Sequence, residues 1–168
     1  MEHNELFQTE GNIVLRDVRE SDLALFFEQQ LDPEANHMAA FTAKDPTDRD
    51  AFMKHWHKIL ADETTYNQTI LAHGQVAGHI ASYKSDAFDG PEVTYWIGKS
   101  YWGQGIATRA LSLFLKLQKV RPIYGRAAKD NPGSLRVLAK CGFNPIGEDR
   151  GFANARNEEI EELLLKLD

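Results

Sequence analysis

The sequence is short of the residues that build covalent or metal cross-links. It holds one cysteine, Cys141, in 168 residues. No internal disulfide can form, which agrees with a reducing, cytoplasmic setting. The close pair His55 and His57 lies two residues apart, so the rings would not share a helix face. There is no His-Glu-x-x-His and no cysteine pair, so no metal is expected. No run of about 18 apolar residues occurs, which argues against a membrane helix. The first five residues, MEHNE, are acidic and no apolar stretch follows them, unlike a secretory leader. Basic residues are outnumbered 19 to 25, for a net charge of -6. Non-specific nucleic-acid binding rests on Lys and Arg neutralising phosphates, so nucleic acid is not an expected partner. A local basic pocket for a small phosphorylated ligand stays compatible with that balance. Internal repeats, low-complexity tracts and linkers are also missing. The length fits one domain able to bury its own core, here residues 1–168 as a whole.

What is present reads as mixed α and β. Residues 12–18 (NIVLRDV) form a β-branched run, the first expected strand. Ser21 or Asp22 then offers an N-cap to a helix whose apolar face carries Leu23, Leu25, Phe26 and Phe27. Asp32-Pro33 ends that helix, and residues 34–46 read as loop or weak helix. Thr47 or Asp48 could cap a second helix over 49–61, with Phe52, Trp56, Ile59 and Leu60 at near-helical spacing. Three strands are expected at 66–72, 75–84 and 92–98, separated by His73-Gly74 and Asp89-Gly90-Pro91, as an antiparallel meander. A helix over 106–119, a strand over 123–128 and a short helix from Ser134 to Lys140 follow, the last stopped by Gly142. Residues 144–148 and 159–167 read as final strands, although Glu and Leu leave helix open for the second.

The informative segment is 92–108, EVTYWIGKSYWGQGIAT. A strand ends at Gly98, and a loop with Gly103 and Gly105 feeds straight into a helix. The first turn of a helix has N–H groups without internal partners and a partial positive charge. Glycines let a ligand approach the backbone, so the segment could seat a phosphate. Gly98-Lys99-Ser100 resembles the tail of a Walker A loop, but position 93 is Val where that motif needs Gly. A dinucleotide fingerprint is a weak reading, because Thr108 holds its third small position and the strand ends a meander rather than opening a βαβ unit early in the chain. Spacing alone leaves two readings: a phosphate seat, or a tight turn with no ligand.

The run Tyr95-Trp96-Ile97-Gly98-x-x-Tyr101-Trp102-Gly103-Gln104-Gly105-Ile106-Ala107-Thr108 resembles the acetyl-CoA signature of the GNAT superfamily of N-acetyltransferases, Gln/Arg-x-x-Gly-x-Gly/Ala. Trp102 departs from the usual Gln or Arg, as in the branch resembling ribosomal-protein N-terminal acetyltransferases. A second family-like element is Asn131-Pro132-Gly133-Ser134-x-x-Val137-Leu138-x-Lys140-x-Gly142-Phe143. The resemblance implies an α+β fold: a mixed, mostly antiparallel sheet of about seven strands, flanked by about four helices. Its fourth and fifth strands, 92–98 and 123–128, would splay apart to hold acetyl-CoA. The backbone of Trp96, Ile97 and Gly98 would line up the pantetheine. The amides of Gln104, Gly105, Ile106, Ala107 and Thr108 would hold the pyrophosphate, and Trp102 and Gly103 would also contact the cofactor. Asn131 would touch the pantetheine or stabilise its turn. Of Lys129, Arg136 and Lys140, one would face the 3′-phosphate, with Lys140 preferred.

Acetyl transfer needs a neutral amine, a donor for the oxyanion and a proton for the leaving thiolate; holding the reactants together supplies much of the rate. Cys141 is not required as a nucleophile and reads as packing. By resemblance Glu92 is the candidate base, against an exposed position after a turn. The tyrosine acid of many relatives falls on Leu138, so Ser134 is the candidate acid, against a role as helix cap. Tyr95, Tyr101 and Tyr124 are further hydroxyls. His79 reads as cleft-facing or as a polar position on the outer face. The acceptor, a peptide or small-molecule amine, would meet residues 30–48, where Asp32, Glu34, His37, Met38, Phe41 and Asp45 lie. A non-catalytic acyl-CoA sensor on the same fold is the alternative. The C-terminal strands offer a homodimer surface.

Overall fold

The alternating run of residues 75–84 is the centre of the sheet, because every second side chain can reach a different covering layer. The computed structural model describes residues 8–168. In chain order the elements are β1 (Gln8–Glu10), β2 (Ile13–Asp17), α1 (Asp22–Gln30), α2 (Pro33–Ala39), α3 (Arg49–Ala61), β3 (Tyr66–Ala72), β4 (Gln75–Lys84) and β5 (Pro91–Ile97). A 3₁₀ turn at Lys99–Tyr101 leads to α4 (Ile106–Leu117), β6 (Ile123–Ala128), α5 (Pro132–Lys140), β7 (Asn144–Ala153) and β8 (Glu158–Leu167).

The strands form one sheet in the order β1-β2-β3-β4-β5-β6-β8-β7. Neighbours are antiparallel except β5 and β6, which are parallel because α4 crosses between them. The described strands number eight against about seven expected, the extra one being the three-residue β1 paired to β2. The fifth α-helix is α2. Asp32 Oδ1 accepts from the Ala35 N–H at 2.9 Å and Pro33 fills the first helical position, so the residues that end α1 also start a helix. Residues 158–167 are a strand because β8 is paired on both edges, by β6 and β7.

One face of the sheet is covered by α4. Its Ile106, Ala110, Leu111, Leu113 and Phe114 are buried against Leu15, Ile70, Ile80, Val93, Ile123 and Leu165. Removing a ring such as Phe114 would cost roughly 3–5 kcal/mol through lost transfer energy and a cavity. The other face is covered by α1 and α3 through Leu23, Phe26 and Trp56. Leu25 and Leu60, expected on those apolar faces, are instead exposed. Asp48 caps α3 by accepting from the Ala51 N–H at 3.0 Å. Asp22 does not act as the cap of α1. It is buried in the first turn, where it accepts from Arg16 at 2.7 and 2.8 Å and from Thr69 Oγ1 at 2.7 Å.

His79 on β4 neither lines the cleft nor decorates an outer surface. Its ring packs 4.7 Å from that of Phe26 and 4.8 Å from that of Trp56, edge to face with the second. Burial among these rings lowers its pKa to about 4, so the imidazole is neutral.

Candidate active site

The parallel pair β5 and β6 meet at a single rung, Glu92 opposite Tyr124. Just before it a Cβ on Gly90 would stand 2.5 Å from the Pro122 carbonyl oxygen, so the strands touch only at this end. Beyond the rung they part and a cleft of about 950 Å³ opens, near the upper end of the roughly 300–1,000 Å³ usual for ligand sites. On the β4 side, β5 is held tightly: a Cβ on Gly78 would lie 1.9 Å from the Trp96 carbonyl oxygen. Only glycine allows that approach.

Glu92, Trp96, Ile97, Trp102, Gly103, Gly105, Ile106, Ala107, Thr108, Asn131, Ser134 and Lys140 all line this one cleft. Gly98 and Gln104 do not; the Gln104 side chain turns back to the Ser100 carbonyl, 3.3 Å away. Gly103 and Gly105 have φ of +76° and +72°, and a Cβ on either would meet no protein atom within 4 Å. Gly105 is the N-cap of α4, and among the described residues no side-chain cap bonds the N–H groups of the first turn. The loop therefore leaves an open cradle before a helix N-terminus, which suits a pyrophosphate. Arg136 and Lys140 stand on the neighbouring helix α5 along the same cleft. Lys129 is engaged elsewhere, by Glu148 at 2.8 Å and Glu161 at 3.0 Å. The Trp102 indole donates to the Ile97 carbonyl at 2.8 Å, and the Trp96 indole N–H is buried without an acceptor.

In mid-cleft, Asn131 is the N-cap of α5, its Oδ1 accepting from the Ser134 N–H at 3.1 Å. Its Nδ2 donates to the Met38 carbonyl at 3.1 Å, tying α2 to the start of α5. The cap expected of Ser134 thus belongs to Asn131, three residues earlier, and the serine hydroxyl is released. It lies 2.8 Å from the Tyr95 hydroxyl. Burial pushes the Tyr95 pKa up to about 12, so the phenol stays a proton donor at neutral pH. Tyr101 is directed to Gln75 and Tyr124 stacks on Phe88, neither on the cleft's polar pair. Leu138 is buried, and a Cβ on Gly125 would lie 3.0 Å from it, so its position serves packing. Cys141 is half-buried near the Thr108 carbonyl, and burial raises its thiol pKa, consistent with packing.

The closed end of the cleft holds a network that sequence reasoning met only at Glu92. That carboxylate is 3% exposed, not a solvated turn residue. Its Oε1 accepts from Arg126 Nε at 2.9 Å and from a terminal nitrogen at 2.6 Å; its Oε2 accepts from the Tyr83 hydroxyl. The other terminal nitrogen of Arg126 donates to Glu162 Oε1 at 3.2 Å. Tyr83, Arg126 and Glu162 were not foreseen. A trace was legible in β8, where Ile160, Glu162 and Leu164 share one face and the middle residue is charged. Of the acidic residues at 30–48, Asp32 and Glu34 pair with Lys99 and Asp45 bonds Thr47 in its own turn, so they stand outside the cleft. From that segment Ala35, Met38, Ala39 and Phe41 supply an apolar wall.

Solved structures share this architecture. An acetyltransferase (GNAT family) from Bacillus anthracis superposes with TM-score 0.76 at 18% identity, over 96% of this chain and 98% of that one. RimJ of Mycobacterium smegmatis, in complex with CoA-disulfide, gives TM-score 0.75 at 22% identity, over 92% and 81%. A ribosomal-protein-S5-alanine acetyltransferase from Vibrio fischeri gives 0.75 at 17%, over 97% and 96%. At such identities these are likenesses of fold. A search of curated proteins gave no match. The family profile described as the acetyltransferase (GNAT) domain matches residues 12–144. With four-fifths of its length accounted for in this way and the cleft of the fold in place, the chain belongs to the GNAT acetyltransferase domain family.

Proposed function

We propose that the protein transfers the acetyl group of acetyl-CoA to a primary amine, on a protein N-terminus or a small molecule, by direct attack within a ternary complex. The observation that carries this reading is the open cradle of Gly103 and Gly105 before α4, beside the unpaired stretch of β5. The N–H groups of Ile106, Ala107 and Thr108 would bind the pyrophosphate, with Lys140 near the 3′-phosphate. The edge of β5 at Trp96 and Ile97 would align the pantetheine. Acetyl-CoA supplies the activated acyl group. The protein's part is to orient the thioester, keep water out behind Met38 and Phe41, and move protons. Tyr95 and Ser134 form a hydroxyl pair able to give a proton to the departing sulfur. Glu92 fixes Arg126 at the closed end of the cleft.

The test is a thermal melt with acetyl-CoA. A ligand that binds only the folded state at 100 times its Kd adds about 2.7 kcal/mol, or about 5–11 °C for a domain this size. No shift at saturating cofactor would overturn the proposal. A shift without thiol release over peptide N-termini, amino acids, polyamines and aminoglycosides would favour a CoA sensor on the same fold.

A further inference from the structure

Five adjacent strands carry one polar row across the sheet. Tyr83 on β4 is in register with Glu92 on β5, which is in register with Tyr124 on β6. Arg126, two residues along β6, shares that face, and Glu162 on β8 lies opposite Ala128 of the same face. The row ends at Asp149 of β7, which is in register with Glu162. Two carboxylates, Glu92 and Glu162, thus flank one guanidinium, with Asp149 beyond Glu162.

The two inner carboxylates are not equivalent. Both oxygens of Glu92 are taken, by Arg126 and Tyr83. Glu162 uses only Oε1, towards Arg126. Its Oε2 is buried without a hydrogen-bond partner although the residue lines the cleft and is 4% exposed. A desolvated carboxylate oxygen with no donor is costly, and an ammonium N–H would satisfy it. Burial raises the pKa of Glu162, and Asp149 and Glu92 add to that while Arg126 opposes it. The carboxylate is therefore a better proton acceptor than an exposed glutamate.

Resting on the acetyl-transfer reading above, we propose that Glu162, and not Glu92, receives the acceptor's ammonium, takes one of its protons, and so selects cationic primary amines. The ammonium R-NH3+ gives one proton to the Glu162 carboxylate and leaves R-NH2. The nitrogen lone pair forms the N–C bond at the thioester carbonyl as the C–S bond breaks. The Tyr95–Ser134 pair gives a proton to the departing sulfur, which leaves as the thiol; the nitrogen's second proton goes to solvent water, solvent reprotonates the hydroxyl pair, and Glu162 releases its proton to solvent. Glu92 is then a positioning residue, holding Arg126 so that Glu162 presents Oε2.

The experiment compares wild type, Glu162→Gln, Glu162→Asp and Glu92→Gln in two assays. Thermal shift with acetyl-CoA reports the cofactor half and should be alike in wild type and Glu162→Gln. Thiol release is then followed against pH with the amine panel above and with hydroxylamine, which is uncharged at neutral pH. For Glu162→Gln, kcat/KM with a cationic amine should fall about 100-fold, the usual scale of general-base catalysis. Its acidic limb should disappear, and Glu162→Asp should restore part of both. Hydroxylamine, needing no deprotonation before attack, should lose less than tenfold. Equal losses for both nucleophiles with an unmoved pH profile would show a structural role and overturn the assignment. So would an unchanged kcat/KM. If wild type binds acetyl-CoA and acetylates hydroxylamine but no cationic amine, the assignment falls while acetyl transfer stands. If wild type fails to bind acetyl-CoA, the underlying reading falls instead.

Discussion

Acidification from pH 7 to pH 5 should weaken this fold through one side chain, His79. Its neutral ring sits against Phe26 and Trp56 with a pKa near 4, compared with 6.5 for an ordinary histidine. The sign follows from proton counting. Between pH 6.5 and 4 the unfolded chain holds a proton on this ring and the folded chain does not, so stability falls as pH falls. Each pH unit inside that window costs about 1.4 kcal/mol, so the loss by pH 5 is about 2 kcal/mol. This is a ceiling, because the ring keeps a little exposed surface. It corresponds to about 4–8 °C in Tm for a domain of this size. Asp22 contributes in the same direction, but only as the pH falls below 3.8 towards its lowered folded-state pKa; burial pushes that carboxyl up, and the bonds from Arg16, the Arg19 N–H and Thr69 outweigh it. Glu162, pushed up by burial, works in the opposite sense. The clean measurement is therefore a difference: urea unfolding of wild type and His79→Leu at pH 7, 6 and 5. The gap between them should move by up to 2 kcal/mol in favour of the variant as the pH falls. Parallel curves at the three pH values would refute the reasoning.

Four further outcomes follow from other contacts. Gly105→Asp should abolish the thermal shift with acetyl-CoA while leaving a folded protein, since its side chain would project into open cleft and bring negative charge to the phosphate seat; a retained shift would move that seat elsewhere. Gly78→Ala should destabilise by about 1–3 kcal/mol and weaken cofactor binding with it, because the added carbon meets the Trp96 carbonyl oxygen and pushes β5; denaturant titration with and without acetyl-CoA reads both. Tyr95→Phe should lower kcat at least tenfold with the KM for acetyl-CoA nearly unchanged, and Ser134→Ala should act in the same direction, as expected of a shared proton path. Asp22→Asn should cost about 1–3 kcal/mol in urea unfolding, because it removes the charge from a buried acceptor shared by Arg16, the Arg19 N–H and Thr69.

Much of the cleft was legible because it is local. The segment at 92–108 contains strand, glycine loop and helix start within one stretch, so order and spacing specify the cradle. In the second motif the burden on Ser134 was misjudged: Asn131 reaches the α5 amides because Pro132 fixes the first helical position. The row from Tyr83 to Glu162 was not legible for the opposite reason. Its members are scattered over 80 positions and become neighbours only when β8 inserts between β6 and β7. His79 was misread because alternation separates the two faces of a strand without saying what covers each. The aromatic cover comes from α1 and α3, distant in sequence.

The single rung between β5 and β6 divides the backbone ladder into two blocks, β1 to β5 and β6 to β8-β7, each antiparallel throughout. Their junction is the narrowest seam in the hydrogen-bonded frame, and α4 spans it as a splint. Amides along β5 past Glu92 should therefore exchange with deuterium more readily than those of β4, and a bound pantetheine, standing in as a temporary ninth strand, should slow them. Ligand and scaffold would then share one cooperative unit, with the occupied cleft mending the seam that made it possible.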